Sequence, residues 1–129
     1  MPQAAALATD QPANCYPIEE FLADTAGIEA TTDIADLKRN SRDYYWYSPI
    51  LADLLKNKVA DVVVTPRDEG EVIRVAAACA KHRIPLTVRG GATGNYGQCV
   101  PLEGGVVLAT ALLNKIDQPP LSGPGGMLV

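Results

Sequence analysis

Apolar and polar positions fall into clear periods in the second half of the chain. Val62-Val63-Val64-Thr65 is an unbroken β-branched run closed by Pro66, which reads as a buried strand. Asp68, followed three residues later by Glu71, is a helix-start pair. Val72, Val75, Ala76 and Cys79 then recur at i, i+3, i+4 and i+7, the apolar stripe of a helix packed on one side. Lys81, His82 and Arg83 put positive charge in its last turn, where the helix dipole favours it. Beyond Pro85, Leu86-Thr87-Val88 reads as a second strand, and after a Gly104-Gly105 turn Val106-Val107-Leu108 reads as a third. The strand–helix–strand order predicts that the first two strands form a parallel pair with a right-handed crossover.

The first half is patterned more weakly. Pro17 followed by Glu19 and Glu20 predicts a short helix through Leu22, with proline and carboxylates in the favoured first turn. Ile28 to Leu37 predicts a second helical piece, weakened by Thr31 and Thr32. Asn40-Ser41-Arg42-Asp43 reads as a turn, and Ser48-Pro49 opens a helix carrying Ile50, Leu51, Leu54 and Leu55 on one side. Residues 1–13 and the Pro/Gly-rich residues 117–129 are expected to be disordered. The fold class expected is α+β, a small sheet with a β-α-β unit preceded by short helices. Its expected divisions are an acidic, partly helical lead at 1–40, one domain at 41–116 and a tail at 117–129.

The chain has 129 residues and a net charge of −4, unevenly spread. Residues 1–37 hold seven carboxylates and no Lys or Arg, so the remaining eleven basic and eight acidic residues leave +3 in residues 38–129. An anionic ligand therefore belongs to the second part. The excess is too small and scattered for nucleic acid, and no aromatic–basic stacking motif accompanies it. Three cysteines without C-x-x-C spacing fit neither a disulfide framework nor a zinc site, and no metal site is expected. No signal peptide or membrane span is visible, so a cytoplasmic location is expected.

The candidate chemistry lies in Arg89-Gly90-Gly91-Ala92-Thr93-Gly94-Asn95-Tyr96-Gly97, which directly follows the second strand. Glycines let backbone N–H groups approach a ligand closely, and successive bare N–H groups form a concave anion site. The C-terminal ends of strands in α/β sheets are where ligands bind, and Arg89 adds a fixed positive charge. The spacing is not G-x-G-x-x-G opening a helix, nor the P-loop pattern. Any phosphate would be held by loop amides, with no helix starting between Gly94 and Gln98. Other residues have plain readings. His82 reads as a solvated cation at a helix C-terminus, Tyr44 to Tyr47 as packing against the sheet, Asp43 as a turn or capping residue, and Cys79 as core. Cys99 has no base near it in sequence, and no catalytic residue is identified.

Ala60 to Pro66, Glu69 to Ile73, Ile84 to Gly94, Gly104 to Leu108 and Leu113 to Ile116 occur in one order, preceded by Ser41-Arg42-Asp43 and Tyr47-Ser48-Pro49. This ordered set, over residues 41 to 116, resembles the FAD-binding (PCMH-type) domain of the vanillyl-alcohol oxidase / p-cresol methylhydroxylase flavoproteins. The branch it is most like is that of FAD-linked oxidases such as D-lactate dehydrogenases and the D component of glycolate oxidase. The resemblance implies that Arg89 to Gly97 wraps the FAD pyrophosphate, mostly through backbone amides. It implies noncovalent FAD, because Thr93 occupies the position at which some relatives carry a flavin-linking histidine. Two residues depart from the pattern, Ala92 in place of glycine and Ala109 in place of aspartate. Family members continue into a second FAD-binding lobe and a substrate-shaping cap. The expectation is therefore an N-terminal fragment of an FAD-dependent oxidoreductase, inactive alone and completed by a second chain or a missing C-terminal segment. The alternative is a noncatalytic fragment or interaction module whose loop binds nothing.

Overall fold

The computed structural model describes residues 15–117. The expectations for residues 1–13, and for 117–129 beyond Asp117, lie outside the described residues.

The chain runs α1 (Ile18–Asp24), β1 (Glu29–Thr31), α2 (Ile34–Asn40), α3 (Pro49–Leu55), β2 (Val62–Thr65), α4 (Glu69–His82), β3 (Leu86–Arg89) and β4 (Val106–Ala109). The four strands form one sheet in the order β1-β2-β4-β3. β2 and β3 each pair parallel with β4, while β1 pairs antiparallel with β2. The α+β expectation holds, but β2 and β3 are not a pair, because β4 inserts between them. The reason lies in the faces of β4: Val106, Val107, Leu108 and Ala109 are all buried, as only a central strand can be.

Side-chain alternation divides the core between the two faces of the sheet. Val62, Val64, Val106 and Leu108 pack with Phe21 of α1 and with Val75, Ala78 and Cys79 of α4. Val63, Val107 and Ala109 pack on the other face with Leu37 of α2 and Ala60. Residues before position 41 thus contribute α1, β1 and α2 to the same sheet and core. Ala76, placed on the apolar stripe by spacing, is exposed, and Ala78 faces the sheet instead.

Helix starts follow the local chemistry. The Asp68 side chain accepts from the Glu71 N–H at 2.8 Å, and Glu71 reaches back to the Arg67 N–H at 2.7 Å, closing a reciprocal cap on α4. Ser48 caps α3, with Pro49 in its first turn. The helix expected over Ile28–Leu37 is instead β1 followed by α2. The Asp33 side chain accepts from the Ala35 and Asp36 N–H groups and starts α2 there, which leaves the β-branched Thr31 in a strand. Gly105 carries the chain into β4 at φ 79°, and an added Cβ would lie 2.4 Å from the Pro85 carbonyl oxygen.

Candidate functional site

Between β3 and β4 the chain has no helix or strand from Gly90 to Gly105, in line with the expected loop. The loop leaves the C-terminal end of β3 and is tied down by the segment Ser41 to Tyr47. The Gly97 N–H donates to Asp43 Oδ2 at 2.9 Å, and the Cys99 thiol donates to Asp43 Oδ1 at 2.7 Å. The Tyr44 N–H donates to the Ala92 carbonyl at 3.0 Å, and the Asp43 N–H donates to Tyr47 Oη at 2.9 Å. Asp43 is only 2% exposed. It is more than a local turn residue: it clamps a loop more than fifty positions away in sequence.

These ties engage the Ala92 carbonyl, Gly97 and Cys99, and leave the amides from Gly91 to Asn95 open. The N–H groups of Gly91, Ala92, Thr93, Gly94 and Asn95 meet no protein acceptor among the described residues. An ideal Cβ on Gly90 would have nothing within 4 Å, and one on Gly91 only a methyl group of Thr93 at 3.6 Å. Neither glycine sits at positive φ, so what keeps this stretch bare is not backbone geometry. Gly97 is different, with φ 82° and Leu55 2.7 Å from an added Cβ. Ala92 is buried at φ 54°, left-handed backbone that costs an L-residue about 1 kcal/mol or more.

Arg89 is the charged element. It is 8% exposed, and its Nε has no hydrogen-bond partner among the described residues. No carboxylate pairs with it among those residues either. Its guanidinium lies 5.2 Å from the centroid of the Tyr44 ring, a cation–π contact that offsets about 1 kcal/mol of the burial cost. Across the ladder its register partner is Ala109. A buried cation with unused donors, beside a run of unused backbone N–H groups, is chemistry that fits a diphosphate.

Several plain readings are corrected. Tyr45 and Trp46 do not pack on the sheet, being 55 and 95% exposed, and Tyr44, 70% exposed, meets it only through Arg89; Tyr96 on the loop is 78% exposed. The sheet face that would receive them is already covered by α2. His82 is not freely solvated. Its ring is 15% exposed, and Nε2 lies 2.8 Å from Asp24, which Lys81 also contacts. Cys99 has an acceptor after all, but Asp43 does not activate it: burial, then Asp43, pushes the thiol up to about 11. Among the described residues no group of His, Cys, Asp and Glu could hold a metal ion. Sequence reasoning missed the Asp43 clamp entirely. Its one local signal is an aspartate at the end of a turn, which gives no hint of partners at 97 and 99.

Residues 60–120 match the family model described as "FAD binding domain". This stretch, a little under half of the chain, is similar to FAD-binding domains. The open amides and unpaired Arg89 suit the diphosphate of FAD. Over 56 residues the chain is 39% identical to glycolate oxidase subunit GlcD of Bacillus subtilis (strain 168), covering 43% of this chain and 12% of that protein. It is 34% identical over 58 residues to a mitochondrial D-lactate dehydrogenase (cytochrome) of Arabidopsis thaliana, covering 45% of this chain and 10% of that protein. It is 34% identical over 55 residues to the mitochondrial D-2-hydroxyglutarate dehydrogenase of Rattus norvegicus, covering 43% and 10%. The FAD-binding domain segment thus spans about a tenth of each of these relatives. A solved alkyldihydroxyacetonephosphate synthase shares the fold, with a TM-score of 0.64 at 20% identity, over 82% of this chain and 22% of that one. Among the described residues no helix is long and apolar enough to cross a membrane.

Proposed function

We propose that Arg89 to Gly97 is the diphosphate cradle of an FAD-linked oxidase or dehydrogenase acting on a small 2-hydroxy acid. The observation that carries this reading is the conjunction of a buried, unpaired Arg89 with the unpaired N–H groups of Gly91 to Asn95. The substrate class is drawn from relatives named for glycolate, D-lactate and D-2-hydroxyglutarate.

When bound, FAD supplies the hydride and electron chemistry. The chain's own residues bind and orient it. Arg89, held against Tyr44, would donate to the diphosphate. The open loop amides of Gly91 to Asn95 would donate to it as well, with Gly90, Thr93, Tyr96 and Gly97 lining the rim. Asp43 keeps the loop in register from behind. Thr93 offers no imidazole to the flavin, so attachment is noncovalent and acid precipitation releases the flavin from the protein. Half a cradle leaves much of a large cofactor uncovered. A further segment or a second chain supplies the remaining contacts and the substrate site, and the described residues alone do not turn over substrate. A reducing, cytoplasmic setting is part of the proposal, supported by three unbridged cysteines.

The test is FAD titration of the full chain, followed by flavin fluorescence and by calorimetry. Gly90→Val adds a side chain where nothing lies within 4 Å and φ is ordinary, so the fold stays intact. Binding is expected to be lost with thermal stability unchanged. Undiminished affinity in that variant refutes the cradle.

A further inference from the structure

Behind the glycine-rich loop, on the far side of the Asp43 and Tyr44 ties, the molecule gathers positive charge in one concavity. Two adjoining grooves, each about 380 Å³, are bordered by α2, the segment following it and α3. Both are lined by Lys38 and Arg42. The first adds Lys56 and Lys58 and has no carboxylate in its wall. The second adds Arg39, Tyr44 and Asp43, whose oxygens are committed to Gly97 and Cys99. Arg39 and Lys56 are neutralised by Asp36 and Asp53 on their own helices or just beside them. Lys38, Arg42 and Lys58 have no ion pair and no side-chain hydrogen bond among the described residues.

Three unneutralised cations around one groove repel one another, and low-dielectric walls focus their field into the space between them. This occurs in a chain whose net charge is −4, so it does not follow from overall composition. The volume lies in the range of small-molecule sites. Arg42 offers a planar fork to an oxyanion, and the two lysines add point charges that suit further oxygens.

We propose that this groove binds a small multivalent anion, one carrying at least two phosphate or carboxylate groups, at a site separate from the glycine-rich loop. The proposal does not rest on the flavin reading and survives if that reading fails.

The experiment titrates the full chain with pyrophosphate and, separately, with citrate at low ionic strength. Binding is followed by calorimetry and by amide NMR shifts. The expected result is saturable shifts in residues 38–42 and 56–59. Tighter binding of pyrophosphate identifies phosphate esters as the source; tighter binding of citrate identifies polycarboxylates. The double reversal Lys38→Glu and Lys58→Glu is expected to weaken groove binding about tenfold or more, since two attractions become repulsions. Any shift at 90–97 is expected to persist in that variant. Raising the salt to about 1 M, where the Debye length is about 3 Å, is expected to abolish groove binding. Circular dichroism checks that the variant is folded. Three results overturn the proposal: shifts confined to 90–97, affinity indifferent to the double reversal, or displacement of the anion by FAD with the same residues shifting. The last would make the groove part of the flavin site.

Discussion

Asp43→Ala is the substitution that tests how the loop is held. The side chain is 2% exposed and accepts from the Gly97 N–H at 2.9 Å and the Cys99 thiol at 2.7 Å. Hydrogen bonds to a carboxylate contribute about 1.5–3 kcal/mol, and a donor left unpaired inside the protein costs about 1–3 kcal/mol. The thiol is a weak donor, so the Gly97 bond dominates. The expected loss is therefore about 2–4 kcal/mol, which lowers Tm by about 8–32 °C at 4–8 °C per kcal/mol. Urea denaturation measures the first quantity and calorimetry the second. Two further readouts separate a clamp from a generic core residue. Amide exchange at Gly97 is expected to accelerate more than exchange in β2 or β4. The Cys99 thiol, held up partly by Asp43, is expected to titrate closer to its ordinary value of 9.0. Asp43→Asn keeps one acceptor oxygen and is expected to fall between the two. A loss below about 0.5 kcal/mol, with Gly97 exchange unchanged, refutes the clamp.

The remaining expectations are more compact. Native protein treated with a thiol reagent near neutral pH is expected to react at exposed Cys15 and to spare Cys79 and Cys99, as peptide mapping would show. Both buried thiols are pushed by burial to about 11 from 9.0, so their contribution to stability is complete below 9.0 and is lost as pH rises through about 11. Denaturation midpoints at increasing alkaline pH check this. Hydrogen bonds from Lys81, then His82, lower the Asp24 carboxyl below its ordinary 3.8, so that contribution is present above 3.8 and is lost as pH falls through the lowered value. Asp24→Asn is expected to flatten the acid limb of the stability profile below 3.8.

What could be read from the sequence follows a physical boundary. Val62 to Thr65, Val106 to Leu108 and the Asp68 cap are encoded within a few residues of themselves, and each forms where its pattern puts it. The glycine-rich loop is equally local, because the bareness of Gly90 and Gly91 is visible as composition. The order of the strands is not local. Nothing in Leu86-Thr87-Val88 shows that it ends at an edge of the sheet, with Val88 58% exposed, while β4 takes the centre. Only the fully apolar character of Val106 to Ala109 hints at that. The exposure of Tyr44 to Trp46 was illegible for a related reason. Aromatic residues carry large apolar area and are assigned to cores by default, yet here α2 already fills the available face. Asp24 with His82 and Asp43 with Cys99 are pairs separated by more than fifty positions, and short-range periodicity carries no information about such partners.

The site is marked by where the chain departs from its own rules. Over most of the sheet, local preference and tertiary packing agree: β-branched residues fill strands, caps satisfy helix ends and glycine occupies the tightest turns. Between positions 89 and 92 they disagree. A guanidinium is buried without an anion, two glycines stay bare although a side chain would fit, and an alanine holds left-handed backbone. The buried guanidinium and the strained alanine each cost on the order of 1 kcal/mol or more, and the cation–π contact with Tyr44 offsets only part of the first. A lysine at the surface, alanines at 90 and 91 and a glycine at 92 would serve the same backbone. An anion held against the loop offsets all of them at once: it pairs Arg89, uses the space over Gly90 and Gly91, and fixes the turn that Ala92 strains to make. Unfavourable features at four consecutive residues share one physical remedy, and that is the argument for a binding site that no single residue of the loop makes alone.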